Sequence, residues 1–223
     1  MLQNQKNILK KIIATSFLLF LAFFVEIISR YTINLNSPCD YSLFKIELVF
    51  IILIGFLFGF KYSFCSSLTY LLIHYAFEYF IMELLINSHT HSHEEHHQYS
   101  SYLIFFYRFF IPYLICSFSG IFYQKETKKL FTSFSLIITL SIISIVQIIA
   151  SILFINLIKE HFLEHQTQNL VTYFFSNDYS FAINVIYSVL SVIINNLIIG
   201  VTLYLINRHL LNKLDFWYSL KKD

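Results

Sequence analysis

The sequence predicts an all-α integral membrane protein, a single bundle of six transmembrane helices with both termini in the cytoplasm. Three observations carry that expectation. Hydrophobic residues fill 57% of the 223 positions and charged residues only 13%, against the roughly one-quarter charged that is usual in soluble domains. Mean hydropathy is +0.65, and apolar runs of the roughly 20 residues that a bilayer crossing needs recur along the chain. Lysine and arginine gather in alternate connectors, the pattern that sets orientation in a membrane.

Taken in order, the first span covers about residues 10–30. It follows Lys6, Lys10 and Lys11 as a signal peptide would, but the apolar run is too long for one and lacks a small-residue cleavage site, so it is expected to stay as a helix. Spans two and three, 42–60 and 62–86, are joined only by a turn at Gly59 to Tyr62. Span four, 101–123, follows a histidine-rich loop at 87–100, and span five, 130–158, follows QKETKK. Span six, 180–206, comes after the polar segment from Lys159 to Tyr179. With the N-terminus inside, eleven basic residues (Lys6, Lys10, Lys11, Lys61, Lys125, Lys128, Lys129, Arg208, Lys213, Lys221 and Lys222) fall on the cytoplasmic side. Only four, Arg30, Lys45, Arg108 and Lys159, fall on the other, which places the histidine-rich loop outside.

Several functions are excluded by composition. A net charge of +2 with no basic stripe implies no nucleic-acid partner. Cys39, Cys65 and Cys116 are odd in number and widely spaced, which argues against a disulfide framework or a zinc ribbon. The chain contains no phosphate-cradling glycine loop and no nucleophile paired with a base, so no catalytic residue and no cofactor is expected.

Polar side chains inside a span cost about 2.5 to 3.5 kcal/mol each at mid-helix and commonly mark a site or pathway. Glu26, Arg30, Lys45, Glu47, Glu78, Glu83, Arg108, Gln147, Asn156, Asn184 and Tyr187 all fall toward the outer side of their spans, while His74, Asn195 and Asn196 lie near the middle. Snorkelling and pairing, as between Glu26 and Arg30, explain any one of them. Their recurrence on all six spans predicts a pocket open to the outside, with Tyr79, Tyr102, Tyr107 and Tyr187 as ring walls.

The stretch SHTHSHEEHHQ, residues 88–98, includes the spacing H-E-x-x-H at His93, Glu94 and His97. On a helix that spacing puts two imidazoles on one metal beside a carboxylate. Two alternatives follow: uptake of zinc, cobalt or nickel through His89, His91, His93 and His97, and a membrane metalloprotease. A working protease needs a rigid helix and a third ligand, whereas this motif stands in a short polar loop. Within the spans His74 is the sole imidazole, so no intramembrane ligand chain continues inward.

The run ELVFIILIGFLFGFKY from Glu47 to Tyr62 leads directly into span three. With six spans and both ends inside, it resembles the substrate-binding S components of energy-coupling factor (ECF) transporters, most closely the thiamin-binding ones. Further matching stretches are Leu21–Phe23, Ile46–Leu48, Ile111–Lys125, Gln147–Phe154 and Ile186–Ser188. The resemblance implies a membrane-embedded vitamin-binding subunit that joins a transmembrane coupling protein and two cytoplasmic ATPases. It places Glu47 on the family's second-span glutamate and Tyr187 on a pocket tyrosine. Tyr107 and Arg108 stand where the family has a Glu-Tyr pair, and Gln147 stands where it has a pocket histidine. Together with Glu78, these residues form the expected substrate site. Arg108 in place of an acid favours an anionic ligand, such as a thiamin phosphate or another anionic vitamin or precursor. The resemblance also assigns Ala14, Leu18 and Ala22 on span one, spaced for close helix approach, to contact with the coupling protein.

Overall fold

The computed structural model describes residues 2–32, 45–88, 103, 105–123, 131–164 and 178–210. Every element among them is helical. There are six helices: α1 (Leu2–Thr32), α2 (Leu48–Phe58), α3 (Phe60–Ser88), α4 (Phe106–Phe122), α5 (Ser133–Glu164) and α6 (Asp178–Leu205, continued by a wider turn Ile206–Leu210). They stand where the apolar runs predict. Three segments are both long and apolar enough to cross a bilayer: Ile8–Ser29, Ser133–Leu157 and Ala182–His209. The other three helices depart from the simple span, each for a local reason.

Helix α2 has 11 residues where a span over 42–60 was expected, and ten of them are buried. A segment apolar all round has no face to give to water and belongs at the centre of a bundle. Accordingly α1, α3, α4 and α6 surround it. Its end is set by Gly59, whose φ of 89° is open to glycine at little cost. The Gly59 N–H bonds the Gly55 carbonyl at 2.9 Å, and α3 starts at the next residue. The predicted four-residue turn is thus a one-residue elbow.

Helix α3 is long enough, at 29 residues, but its polarity is inverted. Ser63, Ser66, Ser67, Tyr70 and His74 are buried, whereas Phe60, Phe64, Leu72, Ile73 and Phe77 are exposed. The buried positions recur every three to four residues and so share one face. Polar inside and apolar outside is the arrangement expected of a helix whose outer solvent is hydrocarbon.

Helix α4 changes its winding twice. Phe106–Phe110 is a π turn, Ile111–Leu114 is α-helical, and Ile115–Phe122 is a 3₁₀ segment. Pro112 has no N–H, so it leaves the carbonyl four residues earlier, that of Arg108, without its helical donor. The slender 3₁₀ end carries buried Cys116, Ser117, Ser119 and Gly120, and packs on α2 and α3. There the backbones nearly touch: a Cβ on Gly55 would fall 1.9 Å from Ser119 Oγ, and one on Gly120 would fall 2.4 Å from the Phe60 nitrogen. Helices α5 and α6 form an extensive pair, with Gly200 packed beside Leu140.

Candidate functional site: a buried polar cluster

Helix α2 rises about 16 Å over its 11 residues, roughly half of the ~30 Å hydrocarbon thickness. With the Gly59 elbow at one membrane face, Lys45 and Glu47 at the start of α2 lie near mid-depth rather than at the outer rim. Around them the structure gathers polar groups from every helix.

Glu26 projects from α1 at the end of the inward row Ala14, Leu18, Ala22 and Glu26. Its carboxylate accepts a hydrogen bond from the Tyr70 hydroxyl and stands 3.0 Å from His74 Nδ1, both on α3. Glu47 is only 3% exposed. Its Oε1 accepts from the Tyr113 hydroxyl of α4 at 2.6 Å. The Tyr70 and Tyr113 rings stack at 5.1 Å, and Phe23 stacks on the other side of Tyr70 at 4.4 Å. Packing of the rings therefore fixes where both hydroxyls, and both carboxylates, can be.

Lys45 joins this half of the cluster to α6. Its backbone N–H donates to Asn195 Oδ1 at 2.9 Å, and its ammonium donates to the Arg108 carbonyl at 3.3 Å. That carbonyl is the one Pro112 releases, so a single proline creates the acceptor. The same ammonium lies 5.1 Å from the Tyr113 ring centre and 5.3 Å from that of Phe109, within cation–π range. On the far side, Asn196 Nδ2 donates to Ser144 Oγ and to Gln147 Oε1, each at 2.9 Å, and Gln147 Nε2 reaches the Pro112 carbonyl at 3.4 Å.

Two acceptors in this assembly have no donor: Glu47 Oε2 and Asn196 Oδ1. Buried polar atoms are ordinarily paired, and leaving one unmade costs about 1 to 3 kcal/mol. A guest carrying N–H or O–H groups would satisfy them.

Of the residues singled out from sequence, Glu47 and Gln147 belong to the cluster. Arg108 enters through its carbonyl, while its guanidinium lies over the rings of Phe109 and Phe154 at 5.3 and 6.0 Å. Tyr107 is half-buried with its ring edge-on to Phe106. Tyr187 is 40% exposed beside exposed Ile183, Ile186 and Leu190, so it faces outward and is not part of the cluster. Glu78 lies on α3 one turn beyond His74, and its side chain lies outside the described residues. His89, His91, His93, Glu94 and His97 also lie outside them. Among the described residues no group of three His, Cys, Asp or Glu side chains is placed to hold a metal ion. Ala14, Leu18 and Ala22 are buried in the chain's own core against α2 and α3, so the small-residue row of α1 is turned inward.

Tyr70 and Tyr113 were not singled out in the sequence, although each positions a carboxylate. Pro112 was the available signal, since a proline inside an apolar span announces a free carbonyl four residues back. No family model matches the chain, and no curated protein or solved structure is detectably similar to it.

Proposed function

We propose that the chain is a membrane-embedded substrate-capture subunit of an ECF-type importer, binding a small water-soluble vitamin or precursor at the buried cluster. The observation that carries this reading is the meeting of polar groups from all six helices near mid-depth, around a carboxylate with one unpartnered oxygen. Ionisable residues in that position are costly and are characteristic of solute and ion pathways. Helices that start or change winding inside the membrane, as α2 and α4 do, are the usual builders of such sites. The coupling protein and the two ATPases belong to the same proposal and rest on the family resemblance alone.

The cluster contains both signs of charge, Glu26 and Glu47 with Lys45 and Arg108. That balance suits a solute with a donor-bearing or cationic ring and an anionic group, such as a phosphorylated thiamin-like compound. The test is a thermal-shift panel on the purified full chain in detergent, using thiamin, thiamin monophosphate, riboflavin, folate, Zn²⁺ and Ni²⁺. Stabilisation by a vitamin, lost in Glu47→Gln, is the expected result. Stabilisation by a metal ion alone would overturn the reading in favour of metal uptake through the histidine-rich stretch.

A further inference from the structure

One set of contacts in the cluster is more than a solute site requires. From α3 to α2, His74 Nδ1 meets Glu26 Oε1 at 3.0 Å, Glu26 Oε2 meets the Tyr70 hydroxyl, Tyr70 is hydrogen-bonded to Tyr113, and Tyr113 meets Glu47 Oε1 at 2.6 Å. Every member is a group that can both give and take a proton, and Glu26, Tyr70, His74, Tyr113 and Glu47 are all buried. The groups facing this chain are few. Lys45 leads into α2, and α4 brings Arg108 and Cys116, whose thiol is engaged with the Pro112 carbonyl at 3.3 Å. Helices α5 and α6 bring only neutral partners: Ser144, Gln147, Asn195 and Asn196. With both acids ionised and Lys45 and Arg108 charged, the formal charges cancel. His74 is then the group that carries any additional proton.

We propose that His74, Glu26, Tyr70, Tyr113 and Glu47 form a proton-binding relay, and that a proton and the solute compete for Glu47. Transfer along it balances at every step. The Nδ1–H bond of protonated His74 breaks as an O–H bond forms on Glu26. Glu26 then gives a proton to Tyr70, Tyr70 to Tyr113, and Tyr113 to Glu47. The net change is one proton lost from His74 and one gained by Glu47, with each tyrosine hydroxyl restored. A protonated Glu47 has lost the charge that would hold a cationic or donor-bearing solute, so solute entry releases the proton and acidification ejects the solute. This inference rests on the proposed function only for the solute at Glu47; the proton site itself does not depend on which solute binds.

The experiment is infrared difference spectroscopy of the full chain in lipid nanodiscs, without added solute, stepped across about pH 5 to 8, where histidine ordinarily titrates. The expected signal is a protonated-carboxyl C=O stretch that grows on acidification, shifts in D₂O and disappears in Glu47→Gln. Tyr113→Phe keeps the ring stack and removes the hydroxyl, and is expected to abolish the same signal while the chain stays folded by its thermal transition. A wild-type spectrum without a titrating carboxyl band would overturn the proposal, as would a band unchanged in Glu47→Gln and Tyr113→Phe. Either result can occur whether or not a vitamin stabilises the chain, so the two readings fail separately.

Discussion

At Glu47 one carboxylate oxygen has a tyrosine partner and the other has none, and the residue's function is argued from that asymmetry. Glu47→Gln keeps an acceptor for Tyr113 and puts an amide donor where the unpartnered oxygen stood. Its thermal stability is therefore expected to stay within about 1 kcal/mol of wild type, while any solute-induced thermal shift is lost; equal shifts in both proteins would remove Glu47 from the site. Tyr187→Leu is the contrasting case. An outward-facing side chain without a special contact contributes within about 0.5 kcal/mol, so this variant is expected to match wild type in both melting and solute shift. Loss of the shift would place Tyr187 back in the site. Glu47 was legible in the sequence because a carboxylate inside an apolar run is rare and costly. Tyr70 and Tyr113 were not, because in a chain with 16 tyrosines and 26 phenylalanines no single ring stands out. Tyr187 was misplaced because a short apolar match shows that a residue lies on a helix and not which way it faces. That direction is set by the buried row Ser188, Asn195, Asn196, Ile199 and Leu203, which turns Tyr187 outward.

Helix α4 shows how element-scale irregularity builds the site. Pro112→Ala would return an N–H to the Arg108 carbonyl and let the helix close on itself, competing with the Lys45 ammonium. The expected result is a helix at least as stable as before but weaker solute binding, read by thermal melting with and without the solute; unchanged binding would show that the Lys45 contact is incidental. At the other end of α4, Gly120→Ala is expected to destabilise more than Gly55→Ala. The methyl group at 120 meets the Phe60 and Gly59 backbone, which cannot yield, whereas at 55 its nearest neighbour is the rotatable Ser119 hydroxyl, with the Gly120 nitrogen at 2.8 Å. Overpacking of this kind costs about 1 to 3 kcal/mol or more, and the order of the two melting temperatures is the check. The helix positions could be read from the apolar runs. The half-length of α2 could not, since an apolar stretch has the same composition whether it crosses a membrane or ends inside a bundle. The proline that rewinds α4 was visible, but its partner Lys45 lies 63 residues away from Arg108 in sequence, and only folding brings the two together.

Over the whole molecule the polarity of a soluble protein is reversed. Exposed Phe17, Phe20 and Phe24 on α1, Phe134, Ile137 and Ile145 on α5, and Ile194, Leu197 and Val201 on α6 form the outer surface, while charged and amide groups meet inside. With the basic connectors retained in the cytoplasm, a fluorescent protein fused to the C-terminus is expected to fluoresce. A cysteine introduced at Ser92 is expected to react with an impermeant maleimide on intact cells, and labelling only after lysis would reverse the orientation. The inverted face of α3 has a consequence for its tolerance of change. A saturation scan of that helix is expected to trace a wave of about 3.6 residues whose intolerant crests are Ser63, Ser67, Tyr70 and His74 rather than its leucines and isoleucines. Replacements ordinarily thought harmless, such as serine by leucine, are expected to fail there, while exchanges among large apolar residues at Leu72, Ile73 and Phe77 pass unnoticed.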